Sequence, residues 1–181
     1  MSGGPDTRER ARRLRELYEA KARAELAGAD ALAPGAAVPW SGDPLAPVAA
    51  VKGVPGEAEL GGGAAFSGRD GEALRRALAA LGETRDVFLT CSRPDAGMSE
   101  EAVDARLRAQ LAVVDPSLVI ATDAQAARDV ARALGVARPR FGQRFERHGT
   151  TFLAVDGLEA SLDEERRKAR VWRQLTGLRR A

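Results

Sequence analysis

The sequence predicts an α/β fold: a three-layer α/β/α sandwich with a central, mainly parallel four-stranded sheet, plus an N-terminal helix. Three observations carry that expectation. Four short apolar runs are separated by stretches with helical spacing, so strand and helix alternate along the chain. The runs are continuously apolar, as strands covered on both faces are, instead of alternating with polar residues. Glycines or helix-capping residues punctuate most junctions, and 181 residues, 44% of them hydrophobic, suffice for one core.

The first helix is expected from Thr7 to Leu26, with Asp6 and Glu9 as a capping pair and Ala11, Leu14, Leu17 and Tyr18 as its apolar stripe. A loop-rich crossing with Pro34, Pro39 and Pro44 follows. Residues 1–46 are therefore an extension, and 47–181 the α/β core, of a single domain. Pro47 to Val51 forms the first strand and empties into a loop holding Gly53, Gly56, Gly61, Gly62 and Gly63. A loop of that kind brings backbone N–H groups close to an anion. Leu74, Ala77, Leu78 and Leu81 give the next helix its buried face, Gly82 stops it, and Asp86 to Cys91 is the second strand.

A third unit repeats the scheme. Ser99 starts a helix carrying Val103, Leu107, Leu111 and Val114, Ser117 to Ala121 is a strand, and Thr122 with Gln125 caps a helix through Leu134. The last strand, Thr151 to Val155, leads through Asp156, Gly157 and Leu158 to a helix opened by a Ser161 and Glu164 capping box and holding Val171, Trp172 and Leu175. The loops beginning at Gly53, Cys91, Thr122 and Asp156 then gather at the carboxyl ends of the strands, where open α/β sheets bind ligands.

Composition narrows the function classes. No apolar stretch is long enough for a membrane span, and the start lacks the basic-then-apolar layout of a secretory signal, so a cytoplasmic location is expected. Cys91 is the single cysteine, which excludes a disulfide framework and a cysteine-held iron–sulfur cluster. No Walker loop and no zinc-ligand cluster is present, and neither metal nor cofactor is expected. The net charge of +2 is compatible with nucleic-acid binding without demanding it. Much of the positive charge lies late: Arg138, Arg140, Arg144 and Arg147 alternate with Phe141 and Phe145, and arginines crowd the C-terminal helix.

Pro55-Gly56, then Phe66-Ser67-Gly68-Arg69-Asp70-Gly71 before a helix, a strand ending in Thr90-Cys91, and the late loop 154–158 before the Trp172 helix form one ordered set. From about Val48 to Leu178 the order and spacing resemble the uracil-DNA glycosylase superfamily, most closely its iron–sulfur, thermostable-type branch. The resemblance implies base flipping, stacking of the base on an aromatic ring, reading of its edge, and stabilisation of a departing base anion. Phe66 stands at the stacking position, with a core aromatic as its other reading. Cys91 stands where the family reads uracil with asparagine, and a thiol supplies no paired amide donor and acceptor; it is a structural or a reactive thiol. The family's acid falls on Gly53, or on Lys52 if the alignment slips by one residue. Glu57 and Glu59 lie downstream as substitutes or as solvated loop residues. Asp156, or Gly157 by a gap shift, stands at the family's histidine, and a carboxylate there opposes a developing negative charge unless it is protonated or acts on water.

Arg69 caps a helix start or contacts a phosphate. His148, the single histidine, occupies a surface turn or touches a phosphate, and the Arg140, Arg144, Arg147 segment is a nucleic-acid contact or a solvated hairpin. Three functions follow. The first is a degenerate glycosylase-like pseudoenzyme that binds DNA or a nucleobase-like ligand through Phe66, Gly53, Pro55, Gly56 and Cys91. The second is an active DNA glycosylase, a DNA-repair hydrolase using Asp156, Glu57 or Glu59. The third is a scaffold whose N-terminal helix binds a partner.

Overall fold

The computed structural model describes residues 7–33, 35, 38–95 and 97–179. Six strands form one sheet: β1 (Ser41–Gly42), β2 (Val48–Lys52), β3 (Val87–Cys91), β4 (Leu118–Ala121), β5 (Arg144–Arg147) and β6 (Thr150–Ala154). Their order across the sheet is β1-β3-β2-β4-β6-β5. The pairs β3/β2, β2/β4 and β4/β6 are parallel, while β1 and β5 lie antiparallel at the two edges. The four-stranded sheet expected from the apolar runs is therefore the centre of a six-stranded mixed sheet. Two edges escape an apolar-run search for physical reasons. β1 spans two residues in a proline-rich stretch, where a Cβ on Gly42 would stand 2.0 Å from the Val87 carbonyl oxygen. β5 carries Arg144, Glu146 and Arg147, the charged composition that keeps an edge strand from pairing with other chains.

The helices are α1 (Thr7–Ala31), α2 (Glu57–Leu60), α3 (Arg69–Ala80), α4 (Glu100–Val114), α5 (Ala124–Leu134) and α6 (Glu165–Leu175). Strand side chains alternate between two buried layers. Ala49, Val51, Phe88, Val119 and Phe152 face Leu26 of α1, Leu107 and Leu111 of α4 and Val130 of α5. Val48, Ala50, Leu89, Ile120 and Leu153 face Leu74 and Leu78 of α3 and Val171 and Leu175 of α6. Ser99 caps α4 by accepting from the Ala102 N–H. Asp123, not Thr122, caps α5 by accepting from the Ala126 N–H; the Thr122 hydroxyl donates to the Val51 carbonyl. The Ser161 and Glu164 capping box is absent, because Ser161 sits in a 3-10 turn (Glu159–Ser161) and donates its hydroxyl to the Leu158 carbonyl.

The N-terminal helix departs most from expectation. It runs five residues further, to Ala31, and it packs through Ala22, Leu26 and Ala29. Leu14, Leu17 and Tyr18 are exposed, and Asp6 lies outside the described residues. The extra turn brings Asp30 to α4, where its Oδ1 accepts from Arg106 Nε at 3.0 Å and Gln110 Nε2 at 2.9 Å. Arg106 is fully buried and also donates to the Cys91 carbonyl at 2.8 Å. Gln110 Oε1 in turn accepts from Thr90 Oγ1. Burial pushes the Arg106 guanidinium below its ordinary range, and Asp30 is its compensating carboxylate. No helix among the described residues is long and apolar enough to cross a membrane.

Removing the one carboxylate on a buried guanidinium strands a charge in the core. Asp30→Ala is expected to lower the unfolding free energy by about 3 kcal/mol, because the surviving arginine cannot be resolvated in place. Urea unfolding at neutral pH measures it. A change within a few tenths of a kcal/mol would show that α1 does not depend on this pair.

Candidate functional site

β2 sits between β3 and β4, so the chain leaves its carboxyl end toward one side and returns on the other. The crevice at that switch point is the expected ligand position in such a sheet. A cleft of about 480 Å³ lies there, with Lys52, Val54 and Pro55 after β2, Thr122 and Asp123 after β4, and Gly157, Glu159 and Asp163 after β6. Asp70 of α3 completes it.

Lys52 governs this end of the molecule. Two-residue alternation puts it on the same face as Val48 and Ala50, toward Phe66. It is 3% exposed. Its Nζ donates to Asp70 Oδ2 at 2.6 Å, Glu59 Oε1 at 3.1 Å and Glu159 Oε2 at 3.1 Å. The same ammonium lies over the Phe66 ring, 5.6 Å from its centroid. Burial opposes the charge on Lys52, but Asp70, Glu159 and Glu59 outweigh it and hold the ammonium above the ordinary lysine range. Glu59, although desolvated, is held below the usual carboxylate range by Lys52 and by backbone N–H groups. Asp70 Oδ1 is buried without a hydrogen-bond partner. Asp70 is also in the first turn of α3, where the helix dipole favours a negative charge.

The glycine loop resolves into a short helix, α2; the N–H groups of Gly61, Gly62 and Gly63 donate to backbone carbonyls, and those of Gly53 and Gly56 to the chain's own carboxylates. Gly53 N–H donates to Asp123 Oδ2 at 2.7 Å, while Gly56 and Phe66 N–H donate to Glu59 at 3.0 and 2.8 Å. Phe66 is buried and has φ +59°, a strained region for a non-glycine residue. That geometry depends on Gly71: a Cβ there would stand 1.9 Å from the Phe66 carbonyl oxygen. The Phe-x-Gly-Arg-x-Gly spacing is thus accounted for by the turn that holds Phe66 beside Lys52.

The other residues singled out in the sequence scatter. Cys91 pairs in register with Lys52 at the end of β3 and is buried, and desolvation pushes its thiol up to about 12. Gly53, Pro55 and Gly56 flank the cleft, whereas Glu57 of α2 is exposed and lines an adjoining concavity with Glu159 and Asp163. Glu59 faces inward as a partner of Lys52 and Phe66. Asp156 pairs with Arg170 at 3.2 Å, and its N–H donates to Gln174 Oε1; Gly157, not Asp156, lines the cleft. Arg69 pairs with Asp163 across the surface at 2.8 Å. Of Arg140, Arg144, Arg147 and His148, the register of β5 places Arg144 and Arg147 at its two ends. β5 runs antiparallel to β6, so Arg144 lies opposite Leu153 near the carboxyl end while Arg147 and the His148 turn lie about 10 Å away at the other end. Phe145 packs on Phe152 at 6.2 Å, whereas Phe141 is exposed.

Sequence reasoning passed over Lys52 as a group in its own right, together with Asp70, Asp123 and Glu159. A lysine closing an otherwise apolar strand was the available signal, because a buried ammonium must find carboxylates. A comparison with protein-family models gives no match, and a comparison with curated proteins gives none either.

Lys52→Met is expected to cost about 3–5 kcal/mol at pH 7, since Glu59 and Asp70 lose their counter-ion in the interior. In the wild type, Lys52 contributes fully below its ordinary value of 10.5 and loses that contribution as pH rises beyond it. Glu59, lowered from 4.5, contributes fully above 4.5 and loses it as pH falls. The variant's deficit should therefore hold from pH 7 to about 4.5 and shrink as pH falls further, measured by urea unfolding at each pH. A deficit independent of pH would separate the loss from these charges.

Proposed function

We propose that this chain is a uracil-DNA glycosylase-like protein that binds a base-sized ligand in the cleft and does not excise bases. The observation that carries this reading is Lys52 Nζ over the Phe66 ring, held there by three carboxylates. A base stacked on Phe66 would have to displace an ammonium that is fully hydrogen-bonded. The residues at the family's chemical positions point the same way. Cys91 is a buried, protonated thiol, Gly53 carries no acid, and Asp156 is tied to Arg170 outside the cleft lining.

The ligand class follows from the acceptors around the cleft. Asp123, Glu159 and Asp163 face it with Lys52 as the one cation, an arrangement that favours N–H donors and disfavours the phosphates of a DNA strand. A nucleobase-like molecule with exocyclic amino or amidine groups suits it better than DNA or uracil. The exposed Leu14, Leu17 and Tyr18 on α1 favour a second reading, in which that helix binds a protein partner.

Two measurements test the main reading. Oligonucleotides carrying uracil, hypoxanthine or xanthine, incubated with excess protein and scored by alkaline cleavage, should release no more base with the wild type than with Phe66→Ala. Release above that control would make the protein an active glycosylase. Isothermal titration with adenine, cytosine and uracil should show the aminated bases binding more tightly, with about tenfold loss in Glu159→Gln. A preference for uracil would overturn the assigned ligand class.

A further inference from the structure

A second concavity lies outside the cleft and shares no lining residue with it. α3 and α6 cover the same face of the sheet and bury Leu74, Leu78, Val171 and Leu175 against it. Between them the apolar residues that α3 presents are the small Ala73 and Ala77, and a groove of about 440 Å³ remains. That volume falls within the range of small-molecule sites, roughly 300–1,000 Å³. Its floor is apolar, built from Leu158, Val171 and Leu175 beneath the two alanines, and one wall is the indole of Trp172. Trp172 is 38% exposed.

The rim has the opposite sign to the cleft. Arg69, Arg76 and Lys168 line the groove against a single acid, Glu72. Each cation has a carboxylate neighbour, but every such pair is solvent-exposed: Arg69 with Asp163, Arg76 with Glu72 at 3.4 Å, and Lys168 with Glu165. Exposed pairs of this kind are weak and exchange readily for another anion. Arg69 lines the groove and its partner Asp163 the cleft, and both line a further concavity with Glu57 and Glu159.

The geometry points to a binding site for a planar aromatic anion: one or two fused rings bearing a carboxylate, sulfonate or phosphate. The ring stacks on Trp172 over the apolar floor, and the anion is taken by Arg76 and Lys168 at the rim, where guanidinium and ammonium donors suit oxyanions. The apolar floor beneath the ring favours a small molecule over a nucleic-acid strand, which would need only the cations and a ring face.

Titration of the full chain with 1-naphthyl phosphate, followed by tryptophan emission and calorimetry, tests this. Saturable binding in the micromolar range is expected, and neutral 1-naphthol should bind about tenfold more weakly. Trp172→Ala and the double variant Arg76→Gln, Lys168→Gln should each lose about tenfold, whereas Glu159→Gln in the cleft should leave the affinity unchanged. Arg76 and Lys168 are exposed, so the double variant folds and keeps the test valid even if Trp172→Ala does not. Lack of saturable binding, equal affinity for naphthol, unchanged affinity in the double variant, or tighter binding of single-stranded oligothymidylate would each overturn the assignment.

Discussion

One ammonium group, Lys52 Nζ, ties together four segments of the chain at the carboxyl end of the sheet: the end of β2, the helix α2 through Glu59, the start of α3 through Asp70, and the 3-10 turn after β6 through Glu159. A buried lysine cannot remain charged alone, so the positions of the three acids and of the lysine are mutually required. Glu59 extends the constraint to the backbone by accepting from Gly56 and Phe66. The strained Phe66 conformation, the absence of a side chain at Gly71 and the placement of the cleft all follow from that cluster.

The cluster also sets the electrostatics of the functional face. In a loop whose amides were open, the carboxyl ends of the strands would attract anions. Here Asp123 and Glu59 occupy those amides, and the carboxylates outnumber the single lysine at the cleft wall. Cations lie one helix away, along α3 and α6 around Trp172. The molecule thus presents two concavities of opposite polarity, one lined by Arg69 and the other by its partner Asp163.

Much of the fold was legible because the four parallel strands are continuous apolar runs, which tertiary context has little freedom to reassign. The edge strands were not legible: β1 is held by one close backbone approach at Gly42, and β5 is charged as exposed edges are. The apolar stripe Leu14, Leu17 and Tyr18 was correctly periodic, yet periodicity states only that a helix has an apolar face. Which turns touch the body is decided by where Arg106 and Gln110 of α4 wait for Asp30, a pairing 76 and 80 residues distant in sequence. Of the cleft lining, Pro55 and Gly157 were singled out in the sequence, while its carboxylates were illegible. Glu59 looked like a loop carboxylate until a helix turned it inward, and Lys52 acquires meaning only when Glu59, Asp70 and Glu159 converge on it.

The most direct test of the central claim is a pH titration of the side-chain ¹⁵Nζ resonances, which is unambiguous in a chain with three lysines, Lys21, Lys52 and Lys168. Lys52 should show an ammonium signal protected from exchange, perturbed by the Phe66 ring and lost from that position in Phe66→Leu, and it should stay protonated beyond the ordinary lysine value of 10.5. A Lys52 signal titrating at or below that value, with no effect of Phe66→Leu, would contradict the account.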